Sequence, residues 1–233
     1  MTQRTVLISG GGRGIGAATA REMMQAGWNV SLGMRDPSLP EWATQGPGEV
    51  QACAYEATAP DAAERWVTEA RARFGRIDAV VANAGIMIRK DVIAAEDEEL
   101  DRLMEVHVAA PRRLAKAAWD DLAACGRGRV IIVSSLSGKR VKSAISSLYS
   151  VSKFAATGRA HALRHTGFDK GIRATAVCPG FVATDMGLPL TTRSAEELTD
   201  PADIGRAIRF LIELPNTSSV AEFAVNWTLE ESF

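Results

Sequence analysis

The chain has 233 residues, 46% hydrophobic and 24% charged, with a formal net charge of −1 at pH 7. That length accommodates one large α/β domain, and near-neutrality removes any electrostatic reason to expect nucleic acid or an anionic membrane as partner. Cys53, Cys125 and Cys178 lack metal-ligand spacing, and no signal-peptide pattern or membrane-length apolar run is visible, so a cytoplasmic protein with free thiols is expected.

The first element is the apolar run at residues 5–8. It leads at once into SGGGRGIG, Ser9 to Gly16, with five glycines in eight residues. Glycine is costly to order and is favoured where backbone turns sharply or approaches another group closely. Ala17, Ala20 and Met24 then recur at helical spacing before Gly27. Short runs at 30–32, 50–55, 79–82, 130–133 and 174–178 read as strands apolar on both faces. Helical patterns lie between them: 63–74, closed by Gly75; a long region from Asp97 to about Cys125, with a break expected near Ala110-Pro111; 147–166; and 201–214. A last apolar run at 221–225 fits an edge strand. Strand–helix alternation of this kind predicts a single-domain, Rossmann-type doubly wound parallel β-sheet flanked by helices on both faces. No linker or repeat interrupts it, so residues 1–233 are expected to form one domain.

In such a sheet, ligands bind beyond the carboxyl ends of the strands, and the glycine loop fills the first strand–helix turn. Its N–H groups and the following helix N-terminus make an anion site suited to pyrophosphate. The spacing Gly10-x-x-x-Gly14-x-Gly16 departs from G-x-G-x-x-G, and a glycine turn without a ligand is the competing reading. Further on, YSVSK sets Tyr149 and Lys153 on one helix face. An ammonium about 4 Å from a phenol, at an effective dielectric of ~20, favours the phenolate by roughly 4 kcal/mol, or about 3 pKa units. That would bring Tyr149 towards working pH as an acid/base. The plainer alternative is a surface tyrosine packed on an aliphatic lysine stem.

Together these stretches resemble the short-chain dehydrogenase/reductase family over nearly the whole chain. Ser9–Gly16 is similar to its TGxxxGxG coenzyme loop, ANAG (Ala82 to Gly85) to its NNAG motif, and CPGFVAT (Cys178 to Thr184) to its PG motif followed by a threonine. SSLSG supplies Ser135, fourteen residues before Tyr149. The resemblance implies that Tyr149 exchanges a proton with the substrate oxygen. Lys153 would lower the Tyr149 pKa and bind the nicotinamide ribose, and Ser135 would hold the substrate carbonyl. It implies coenzyme contacts from Ser9, Gly10, Gly12, Arg13, Gly14, Ile15 and Gly16 in the first loop, and from Asn83, Ala84 and Gly85 after the fourth strand. Pro179, Gly180, Val182 and Thr184 would close the coenzyme site.

Three departures from the family pattern matter. His107 stands where the family usually has an asparagine in a proton relay. Its imidazole either serves the relay, in which case activity falls on acidification through its titration, or is packed in the helix with satisfied nitrogens. Glu56, followed by Ala57, replaces an aspartate that commonly contacts adenine. Met34 occupies the place of the acid that binds both ribose hydroxyls in NAD-dependent relatives, and Arg35 follows it. With Arg13 in the glycine loop, two guanidiniums would suit a 2′-phosphate, so NADP(H) is favoured over NAD(H); a solvent pair between Arg35 and Asp36 is the alternative. His161 and His165 have i, i+4 spacing but lack the accompanying glutamate of a zinc motif, so no metal is expected. Lys139, Arg140 and Lys142 form a basic cluster that is either solvated loop or a greeting for an anionic substrate.

The expected function is an NADP(H)-dependent oxidoreductase interconverting an alcohol and a ketone or aldehyde on a small molecule. A non-catalytic coenzyme sensor, supported by His107, and a dehydratase or epimerase are the alternatives. The short segment at 187–194 after the PG motif suggests an open, shallow substrate pocket. A homodimer or homotetramer is expected, built on the helices after Asp97 and at 147–166, where Ala155, Ala156 and Ala160 would allow close approach.

Overall fold

A computed structural model describes residues 3–229. Seven strands form one parallel sheet in the order β3-β2-β1-β4-β5-β6-β7. They are β1 (Thr5–Ser9), β2 (Asn29–Met34), β3 (Val50–Ala54), β4 (Ala79–Ala82), β5 (Arg129–Val133), β6 (Arg173–Pro179) and β7 (Glu222–Val225). The order reverses between β1 and β4, so the crevice opens beyond the carboxyl ends of those two strands. The inner strands are buried throughout. The outermost, β3 and β7, are only partly covered, so the expectation of two buried faces holds away from the edges.

Strand alternation divides the core. Val6 and Ile8 face α1 (Gly14–Gln25) and α7 (Pro201–Glu213), packing with Met23, Ile204 and Ile208. Leu7 faces the other way, towards Trp66 of α2 (Ala62–Phe74), Leu114 of α4 (Ala110–Ala117) and Ala156 and Ala160 of α6 (Ser147–Gly167). The last two alanines, expected on a self-association face, are therefore buried against the sheet. The outward face of α6 shows Val151 and Phe154 instead.

The long helical region is three helices: α3 (Asp97–Met104), α4, and α5 (Trp119–Ala124). The break expected at Ala110-Pro111 lies just before it, as one π turn over Glu105–Ala109, in which the Ala110 N–H reaches back to the Glu105 carbonyl. Pro111 has no N–H to offer the carbonyl of His107, so the turn ahead of the proline widens. That turn carries His107. Among the described residues no helix is long and apolar enough to cross a membrane.

Candidate active site

The glycine loop is held from behind. The Ser9 hydroxyl accepts hydrogen bonds from the N–H groups of Asn83 (3.0 Å) and Ala84 (3.1 Å), and the Asn83 amide donates to the carbonyls of Ser9 (3.0 Å) and Gly10 (3.1 Å). Gly16 lies so close to this arrangement that a Cβ there would sit 2.2 Å from the Gly10 carbonyl oxygen. Gly10, Gly12, Arg13, Gly14 and Ile15 line a cleft of about 1980 Å³. Ser9 and Gly16, expected to touch coenzyme, do not line it; they fix the loop to the end of β4. At the start of α1 no side chain caps the first N–H groups and no acid stands in the first turn. That end of the helix is a free anion site.

Met34, Arg35, Glu56 and Ala57, the residues expected to meet adenosine, line the same cleft. The Glu56 carboxylate already accepts from the N–H (3.3 Å) and hydroxyl (3.2 Å) of Thr58. Asp36 accepts from the Ser38 hydroxyl at 2.7 Å. The expected convergence of two guanidiniums is modified. Arg13 pairs with Asp185 across the cleft mouth at 2.9 Å, and both side chains are well exposed.

Ser135, Tyr149 and Lys153 come together on the opposite wall. Ser135 lies near enough to the Tyr149 phenol to favour its ionised form, while its hydroxyl donates to the Pro179 carbonyl at 3.5 Å. It also accepts from the Ser137 N–H at 3.1 Å. Lys153 extends beneath the tyrosine, its Nζ 5.5 Å from the ring centroid and donating to the Val133 carbonyl at 3.0 Å. The lowering of the phenol expected from Lys153 is outweighed by burial in this structure. Burial pushes Tyr149 above the ordinary phenol range, offset only in part by Ser135. Burial likewise lowers Lys153 to about 8, so its ammonium loses charge as pH rises through that value.

His107 is buried and does not line the cleft. Its Nε2 accepts from the Ile86 N–H at 3.1 Å, and its Nδ1 lies 2.9 Å from Ser152 Oγ. Burial and then the Lys153 charge lower its pKa to about 2, and an Nε2 that accepts from the Ile86 N–H has no lone pair free for a second proton. The imidazole is therefore neutral across the working range. The acid-side loss of activity expected of a titrating His107 has no source here.

Pro179, Gly180, Val182 and Thr184 form the rim, as do Asn226 and Trp227 beyond β7, which nothing in the sequence pattern had singled out. Thr184 accepts from the Gly187 N–H at 3.1 Å, tightening the turn after the PG motif. Arg140 and Lys142 line the cleft, whereas Lys139 turns away to pair with Glu222. Glu222 also holds His161 Nε2 at 2.7 Å, which occupies the histidine that the i, i+4 spacing brought into question.

A family model described as short chain dehydrogenase matches residues 4–195, and the chain belongs to that family. An agropine synthesis reductase of Rhizobium rhizogenes is 34% identical over 220 residues, 92% of this chain and 50% of that protein. The chain thus spans about half the length of the two reductases of this kind that it matches. Oxidoreductase UcpA of Escherichia coli K12 is 26% identical, with 91% and 88% of the two chains covered. Among solved structures, an alcohol dehydrogenase from Thermococcus sibiricus complexed with 5-hydroxy-NADP superposes with a TM-score of 0.88 at 27% identity, covering 98% of this chain and 99% of that one. A metagenomic short-chain oxidoreductase in complex with NADP gives a TM-score of 0.82 at 28% identity, covering 97% and 98%.

Proposed function

We propose that this chain is a one-domain NADP(H)-dependent oxidoreductase interconverting an alcohol and a ketone or aldehyde on a small molecule. The observation that carries the reading is that Ser135, Tyr149 and Lys153 line the same cleft as the glycine loop. The residues present fit a nicotinamide dinucleotide. The uncapped start of α1 and the cradle at Gly12, where a Cβ would meet the flexible Met34 sulfur and otherwise project into the cleft, suit a pyrophosphate. Arg35 on the adenine side suits a 2′-phosphate. The NADP and 5-hydroxy-NADP in the two solved relatives support the same choice.

When bound, such a coenzyme supplies hydride to the carbonyl carbon, or accepts it in the reverse direction. The chain's own residues manage the oxygen. Ser135 donates to the carbonyl and holds it beside Tyr149, and Tyr149 gives its phenolic proton to that oxygen as negative charge develops there. Lys153 stabilises the resulting phenolate and is placed to bind ribose hydroxyls. The exposed Val151 and Phe154 on α6 support self-association of the protein.

A panel of ketones, aldehydes and alcohols, followed by the near-ultraviolet absorbance of the reduced coenzyme, tests this reading. Turnover with NADPH is expected, and coenzyme binding with no turnover across the panel would instead identify a sensor. Arg35→Ala is expected to weaken NADPH by roughly 1.5–3 kcal/mol, the worth of a charged hydrogen bond, and to leave NADH unchanged. Equal loss for both coenzymes in titrations would remove the 2′-phosphate role.

A further inference from the structure

We infer that His107 and Ser152 form a positioning device that ties the Asn83–Ile86 loop to the backbone of Tyr149, with no proton passing through the imidazole during turnover. The inference rests on the reading above, in which Tyr149 meets the substrate beside coenzyme held partly by that loop.

The hydrogen bonds run in one direction. The Ile86 N–H donates to His107 Nε2 at 3.1 Å. An Nε2 that accepts puts the ring proton on Nδ1, which then donates to Ser152 Oγ at 2.9 Å. The Ser152 hydroxyl, having accepted, donates to the Tyr149 carbonyl at 2.7 Å. Each polar atom in the chain has one partner of the right kind, and only the neutral Nδ1–H tautomer satisfies them all. The imidazole stands edge-on to the Tyr149 ring, 5.5 Å between centroids at 89°, so it also sets the plane of the phenol. Gly85 completes the fit, since a Cβ there would lie 3.3 Å from Nε2. The π turn ahead of Pro111 places His107 at this point. The ionisable groups facing the ring are Lys153 and Tyr149, and a positive Lys153 opposes any second proton on it.

Two measurements test this. Nitrogen NMR of the histidine side chains should show His107 as the neutral Nδ1–H form from about pH 5 to pH 9, where an ordinary imidazole titrates near 6.5. A titration in that range, or the Nε2–H form, would overturn the lock whether or not the protein turns over any carbonyl. In the kinetic arm, His107→Gln, His107→Leu and Ser152→Ala are compared with wild type. His107→Leu should lower kcat about tenfold to a hundredfold with KM for coenzyme little changed, and His107→Gln should restore part of it. Leucine and Ser152→Ala combined should cost no more than leucine alone, because the chain is already cut. The acid limb of the kcat profile should be the same in every variant. Additive losses, or an acid limb abolished by His107→Gln, would sink the proposal. A wild type that binds coenzyme and reduces nothing would count against the function, leaving the NMR result to decide the lock.

Discussion

Replacing Tyr149 by phenylalanine is expected to lower turnover by roughly 10²–10⁴-fold, the usual worth of a positioned general acid, while coenzyme affinity stays as it is. The substitution removes one oxygen and little else. The ring is buried with Leu103 and Leu148, and phenylalanine fills the same space. Lys153 keeps its bond to the Val133 carbonyl, and the glycine loop is untouched. Loss should therefore appear in kcat and not in a coenzyme titration. Lys153→Ala is the informative contrast: it deletes the charge beneath the phenol together with the group proposed to meet ribose, so both readouts should fall. Wild-type turnover in the phenylalanine variant would remove Tyr149 from the proton transfer. Lost coenzyme binding in the same variant would show that the hydroxyl serves to build the site.

The burial of Tyr149 also explains where sequence reasoning stopped short. YSVSK fixes the spacing of phenol and ammonium, but how far each group is cut off from water depends on β5, the π turn and the cleft wall. Spacing alone gave Coulomb attraction and a lowered phenol; in the folded chain desolvation is the larger effect and acts on both groups. The strands and the glycine loop were legible because their signals are local: a buried β-branched run, a turn, a helix start. Six of the seven strands lie within one or two residues of their expected ends, and the fourth coincides with them.

What sequence could not supply were partnerships between distant segments. Arg13 meets Asp185 across 172 positions, and Ser9 holds Asn83 and Ala84 across more than seventy. Ser152 carries no motif signal, since a serine in a helix usually bonds its own backbone; its importance appears only when His107 arrives from another helix. Trp227 reaches the cleft rim because β7 pairs with β6 and brings the following residues over the site. The C-terminal stretch NWTLEESF extends at 230–233 outside the described residues.

The glycines that raised the first question divide into two kinds, and a pair of alanine substitutions should separate them. At Gly16 a Cβ would lie 2.2 Å from the Gly10 carbonyl oxygen and 2.6 Å from the Asn83 amide nitrogen. Backbone cannot step aside there without breaking the Asn83 bonds to Ser9 and Gly10. Overpacking of this sort costs about 1–3 kcal/mol, and a lost hydrogen bond adds about 1. For a chain of this size each kcal/mol lowers the melting temperature by roughly 2–4 °C, so Gly16→Ala should melt roughly 5–15 °C below wild type. At Gly12 the added methyl meets the Met34 sulfur at 2.9 Å and the next Met34 carbon at 3.9 Å. A methionine end can turn away, so Gly12→Ala should melt close to wild type. Its methyl nonetheless stands in the cleft where the proposed coenzyme's pyrophosphate would approach, and coenzyme should weaken by about tenfold or more, equivalent to ~1.4 kcal/mol. Calorimetry and coenzyme titration on the two variants read the two effects separately. A Gly16→Ala protein as stable as wild type would mean that the loop relaxes around a Cβ and is not pinned by Asn83. A Gly12→Ala protein with undiminished coenzyme affinity would move the pyrophosphate off this loop, and with it the explanation for the glycines.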